Sequence, residues 1–128
     1  MLHYITLGTN DLPRAKVFYD AVMPCLGLVL RVQEDEELGY GAPAPERIRF
    51  WVTRPYDDRP ATVGNGSMPA LAAATRAAVD AFHAAGLRSG GTDEGAPGLR
   101  PYSPHFYACY LRDPDGNKIS AVCETPEG

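Results

Sequence analysis

The feature that most constrains this 128-residue chain is that its pattern of elements runs twice. Leu2–Gly8 is short, rich in β-formers and ends in Gly-Thr-Asn-Asp, so it reads as a strand leading into a helix capped by Asn10 or Asp11. Leu12, Ala15, Phe18, Tyr19, Val22, Met23 and Leu26 then recur at helical spacing, with Pro13 in the first turn and Pro24 and Gly27 at the end. Strand-like runs follow at Leu28–Val32, Leu38–Gly41 and Arg47–Thr53. In the last of these Ile48, Phe50 and Val52 alternate with Arg49, Trp51 and Thr53, which predicts one face on a helix and the other on a polar or amphipathic space.

Residues 54–66 are rich in Pro, Asp, Arg and Gly and carry no periodicity. The order then restarts. Ser67–Ala73 reads as a strand weakened by Pro69, and Thr75 caps a helix whose stripe is Ala78, Val79, Phe82, Ala85 and Gly86. Gly90-Gly91 stops that helix, and a loop is expected through Gly95, Pro97, Gly98, Pro101 and Pro104. Phe106–Leu111 and Asn117–Glu124 read as a hairpin around Asp113-Pro114-Asp115-Gly116.

A half of about 60 residues buries too little surface to stand alone, whereas two such units can share a core. The expectation is an α+β single domain at 1–128, built from a module at about 1–54, a linker at about 55–66 and a module at about 67–125. From periodicity alone, an α+β sandwich whose halves resemble each other by chance remains the alternative.

The formal net charge of −4 and scattered Lys and Arg argue against a nucleic-acid partner. No apolar run is long enough to span a membrane and no basic, then apolar, leader opens the chain, so a cytoplasmic protein without a membrane partner is expected. Cys25, Cys109 and Cys123 are odd in number, far apart and set in apolar runs, which reads as reduced core thiols. Nucleotide-loop, zinc-protease and serine-hydrolase motifs are missing from the sequence.

Three runs together resemble a known family: HYITLGTNDLPRAKVFYDAVMPCLGL, with His3, Asp11, Phe18-Tyr19 and Leu26-Gly27-Leu28; TRAAVDAFHAAGLRSGG; and FYACYLRDPDGNKISAV. Their order and spacing resemble the vicinal oxygen chelate superfamily of glyoxalases, extradiol dioxygenases and bleomycin- and fosfomycin-resistance proteins. The resemblance implies two βαβββ modules forming a cup-shaped mixed sheet around a ligand or metal cavity, commonly in homodimers. In metal-using relatives a divalent ion, held by His from first strands and Glu from last strands, chelates two adjacent substrate oxygens.

Carried onto this chain, that pattern implies a cavity-facing ligand at His3, but places Met68 and Ser120 where relatives have His and an acid. A thioether is a poor ligand for hard divalent ions, so Met68 is expected to wall the cavity. Glu124 lies too far along the strand to replace Ser120. The first module's equivalent position falls near Trp51, which reads as a cavity wall or a core anchor. Arg49 and Arg100 are candidate anion contacts against a reading as solvated surface arginines, and Tyr102 and Tyr107 are candidate hydroxyl donors against a reading as packing groups. His105 is a candidate substitute ligand, and His83 reads as a partly exposed helix residue.

The expected ligand-binding set is therefore His3, Arg49, Trp51, Met68, Tyr107 and Ser120, with His3 the one expected metal ligand and no catalytic residue assigned. The leading expectation is a small organic ligand bound without a cofactor by a homodimer. The alternatives are a lyase, isomerase or dioxygenase using Zn, Ni, Mn or Fe, and a structural domain whose cavity is plugged by Trp51 and Met68.

Overall fold

The computed structural model describes residues 1–126. Its first half runs β1 (Ile5–Gly8), α1 (Leu12–Val22), a 3-10 turn (Met23–Leu26), β2 (Val29–Gln33), β3 (Glu37–Gly41) and β4 (Phe50–Thr53). The second half repeats it as β5 (Ala70–Ala72), α2 (Arg76–Arg88), β6 (Thr92–Leu99), β7 (Tyr107–Arg112) and β8 (Lys118–Cys123). Each half forms a four-stranded mixed sheet, ordered β1-β4-β3-β2 and β5-β8-β7-β6, with the first strand parallel to the last. The chain forms the α+β pair of βαβββ units that the resemblance implied.

Local chemistry starts both helices in the same way. The Asp11 carboxylate accepts from the Arg14 N–H and the Thr75 hydroxyl from the Ala78 N–H, each satisfying an amide that the helix itself leaves unpaired. Gly27, with φ 76°, ends the first helical stretch in the left-handed conformation that suits glycine. Phe18, Tyr19 and Val22 of α1 and Val79 and Phe82 of α2 are fully buried. Between them and the sheets lie Leu38, Tyr40, Phe50, Val52, Cys109, Leu111, Ile119 and Ala121, one continuous core shared by both halves.

The helices meet at Gly86, where an added Cβ would stand 2.6 Å from Leu111 Cδ1 and 3.3 Å from Phe18 Cε1. Because both helices lie on the core side, each sheet has an inner face toward them and an outer face turned away.

The structure corrects the reading of 92–99. The segment expected to be a loop is β6, paired to β7 with register shifts between Asp93 and Gly95 and between Gly95 and Gly98. It is an edge strand, so Pro97 costs no ladder bond on a neighbour, and the irregularities absorb the glycines. His83 is also corrected: it is buried, with Nε2 2.8 Å from Asp93 Oδ1. No helix among the described residues is long and apolar enough to cross a membrane.

Candidate functional site

Strand alternation decides which side chains share a face. In β4, Phe50 and Val52 are buried toward α1, so Trp51 and Thr53 stand on the outer face. Thr6 and Gly8 of β1, Arg31 of β2 and Glu37 of β3 join them there. Over this face lies a cavity of about 1100 Å³, walled further by Tyr4, Arg47 and Tyr56. Every wall residue belongs to the first half or to the start of the linker, and none to the second sheet.

The floor of the cavity is the indole of Trp51. Gly39 pairs with Trp51 across the β3–β4 ladder, and a Cβ on Gly39 would lie 2.7 Å from Cζ3, 3.0 Å from Cη2 and 3.1 Å from Cε3. The six-membered ring therefore rests on the bare backbone of Gly39, which only glycine permits at that distance. Such an indole offers a flat apolar surface with a polar edge. The sequence signal that finds this arrangement is the pairing of a Gly in β3 with a Trp in β4, which is legible only once the register is known.

At the rim, Arg31 donates to the carbonyl oxygens of Ala42 and Glu46, tying β2 to the β3–β4 connection. Arg54 pairs with Glu36 at 3.0 Å between exposed side chains, a contact worth little in water. Arg47 is exposed and makes no ion pair among the described residues.

The repeat supplies an internal ruler for the positions at which relatives hold metal. Thr6 pairs with Trp51 and Ala70 pairs with Ser120, and Thr6 and Ala70 stand equally far ahead of their helix caps. Trp51 and Ser120 are thus counterparts, and the counterpart of Met68 is Tyr4. His3 is one residue out of step. It has the parity of Ile5 and Leu7, which pack on the core, and it lines a separate cleft of about 450 Å³ between the halves. Arg49 lines that cleft too, donating to the carbonyl oxygens of Leu2 and His3 at 3.3 and 3.0 Å.

The other expected site residues are dispersed. Met68 is 39% exposed and borders neither space. Tyr107 has the parity of Cys109 and Leu111, packs on the core and donates its hydroxyl to Asp80 at 2.6 Å. Tyr102 and His105 are exposed in the loop before β7. Ser120 is fully buried on the outer face of the second sheet, with no hydrogen-bond partner for its hydroxyl. Among the described residues no three His, Cys, Asp or Glu side chains are grouped to hold a metal ion.

Over residues 1–121 the sequence matches the Glyoxalase/Bleomycin resistance protein/Dioxygenase superfamily. The chain belongs to this superfamily. A glyoxalase/bleomycin resistance protein from Albidiferax ferrireducens T118 is 43% identical, with 95% of this chain and 97% of that one covered and a TM-score of 0.84. At 18% identity, a glyoxalase/bleomycin resistance protein/dioxygenase family enzyme from Burkholderia phytofirmans PsJN shares the fold over 97% of this chain and 98% of its own, with a TM-score of 0.72. The lactoylglutathione lyase of Agrobacterium tumefaciens, 19% identical, does so over 96% and 92% with a TM-score of 0.61. No curated protein matches the chain. This member of the superfamily sets Tyr4 and Met68 just ahead of β1 and β5, and Trp51 and Ser120 in β4 and β8, at repeat-related positions of its two halves.

Proposed function

We propose that this superfamily member binds a small, flat organic ligand over its first sheet, without a catalytic divalent metal and as a homodimer. The observation that carries the reading is the Trp51 indole lying on Gly39 as the floor of a cavity rimmed by Arg31, Arg47 and Tyr56. An aromatic platform with guanidinium groups at its edge suits a conjugated ligand that bears polar or anionic substituents.

The metal that the family implies does not fit the donors present. A phenol, an indole, a thioether and a neutral hydroxyl are not the imidazole and carboxylate set that a hard or borderline divalent ion takes. No chemical step through a metal follows for this chain. The homodimer enters because the cavity has a floor and rim from the first half and no opposite wall. A second copy, presenting its own second sheet, is the simplest cover that a βαβββ pair provides.

The test uses the chain's single tryptophan, which is the platform itself. Flat aromatic acids titrated into the protein are expected to quench or shift Trp51 emission saturably and to raise the melting temperature, as any native-state ligand must. Sedimentation should give twice the chain mass. Emission unchanged across the series, together with a large melting shift from Zn²⁺, Ni²⁺, Mn²⁺ or Fe²⁺, would sink the reading in favour of a metalloenzyme.

A further inference from the structure

We infer that the outer face of the second sheet carries an oxyanion subsite, formed by Arg100, Lys118 and Ser120 around Tyr110, in the place where relatives set a metal-binding carboxylate. The inference rests on the ligand-binding reading above, in which a second copy covers the Trp51 cavity with its own second sheet, and assigns to that sheet the pole of the ligand that Trp51 does not hold.

Tyr110 and Ser120 are direct partners in the β7–β8 ladder, so their side chains lie side by side, and Lys118 is on the same face one alternation earlier. The Arg100 guanidinium carbon sits 5.3 Å from the Tyr110 ring centroid and the Lys118 ammonium 5.8 Å from it. Arg100 donates only to backbone carbonyls, to Ala96 at 2.7 Å and Leu99 at 3.4 Å. Neither cation has an acidic partner among the described residues, although both are half-buried in a chain of net charge −4.

On the β8 side of the Tyr110 ring, across from Gly95 and Arg100, the Ser120 hydroxyl is buried without a partner among the described residues, which buried hydroxyls seldom are. Two unneutralised cations and an unpaired hydroxyl on one sheet face are complementary to a carboxylate or phosphate oxygen. The same two charges repel a divalent cation from the Ser120 position, which explains why the face need not keep an acid there. Glycine permits the arrangement, since a Cβ on Gly95 would meet Tyr110 Cδ2 at 2.9 Å and Arg100 Nη2 at 3.3 Å.

The experiment is amide-resolved NMR on the full chain, titrated separately with sodium benzoate, neutral benzamide, inorganic phosphate and Zn²⁺. Benzoate is expected to shift the amides of Arg100, Tyr110 and Ser120 saturably, and benzamide is not. Arg100→Gln and Lys118→Gln should each weaken benzoate by about tenfold, the usual worth of a charge-assisted hydrogen bond. Ser120→Ala should weaken it by less, with unchanged melting temperatures marking the variants as folded.

Phosphate acting in place of benzoate supports the same subsite and assigns it to a phosphate group. Equal shifts from benzoate and benzamide, no saturable shift from either anion, or saturable Zn²⁺ shifts at these amides would overturn it. If benzamide quenches Trp51 while no anion moves Tyr110, the ligand-binding reading stands and this one falls. If Tyr110 responds and Trp51 is silent to every probe, both fall, since this subsite is the second pole of a ligand held on Trp51.

Discussion

The connection between β3 and β4 and the connection between β7 and β8 occupy the same place in the two halves and do opposite work. The second is the tight Asp113–Asn117 turn. Asp113 accepts from the Asp115 and Asn117 amides, both at 2.9 Å, from Asn117 Nδ2 at 3.0 Å, and from the buried Tyr19 hydroxyl of α1 at 2.6 Å. Asp115 takes the Thr9 hydroxyl, the Asn10 N–H and Arg14, and Asn117 donates to the Gly8 carbonyl. This turn clamps the second half onto the β1–α1 junction of the first. The first connection, residues 42–49, is longer, mostly exposed and held chiefly by Arg31, and its residues 45–48 wall the cavity. One copy of the repeat spends its hairpin on cohesion; the other leaves it free to shape a site.

If the two connections differ in this way, Asp113→Ala should be the most damaging single change in the molecule's turns. It strands the Tyr19 hydroxyl and the Asn117 amide in the interior and is expected to cost on the order of 3 kcal/mol in urea unfolding. A loss below about 1 kcal/mol would mean that the turn is not the clamp. Replacing residues 43–47 by Gly-Asn should change stability by less than about 1 kcal/mol, since surface loops are cheap to shorten, while abolishing the Trp51 response to ligand.

Alkaline titration sharpens the same point. Burial first, and then the Asp113 carboxylate, raises the Tyr19 pKa well above its usual value, and burial with Asp20 does the same for Tyr40. Unfolded tyrosines ionise near pH 10 while these two stay protonated in the fold. The unfolded state then binds fewer protons, so stability present below about pH 10 falls above it, by about 1.4 kcal/mol per pH unit for each tyrosine. Tyr19→Phe should halve that slope.

Gly39→Ala acts on the site alone, because the new methyl must displace the indole. The cost is about 1–3 kcal/mol, with a shift of Trp51 emission that Gly41→Ala, away from the ring, does not reproduce. The smallest is His83→Gln. The His83 hydrogen bond, with the Gly95 N–H, lowers the Asp93 pKa, so the contact between the buried imidazole and the exposed carboxylate contributes above the ordinary carboxylate range and loses that contribution as pH falls. With less proton uptake linked to unfolding in acid, a slightly shallower acid transition is the measurable result.

Much of the fold was legible because its signals are local. The caps at Asp11 and Thr75, the stripes of both helices and the alternation around Trp51 are each set by residues a few positions apart. The strand β6 was not legible, because Gly95, Pro97 and Gly98 speak against a strand and only pairing with β7 overrules them. At the site, the residue types missing from Met68 and Ser120 were visible in the sequence. That Tyr4 reaches the cavity over the first sheet while His3 lines only the cleft between the halves was not, since a one-residue slip in an extended segment reverses its faces.

Caps, hydrophobic period and repeated element order, written in neighbouring residues, were enough for two similar α+β halves around both helices, and the resemblance carried by three runs of sequence made each half a βαβββ unit. Only the tertiary structure decided that Gly39 would seat Trp51, that Arg100 would come to lie over Tyr110, and that the cavity would have a single sheet for its floor. Those relations join residues through strand register and through loops whose paths no local pattern encodes, so they exist only after the sheets have formed and the helices have packed between them.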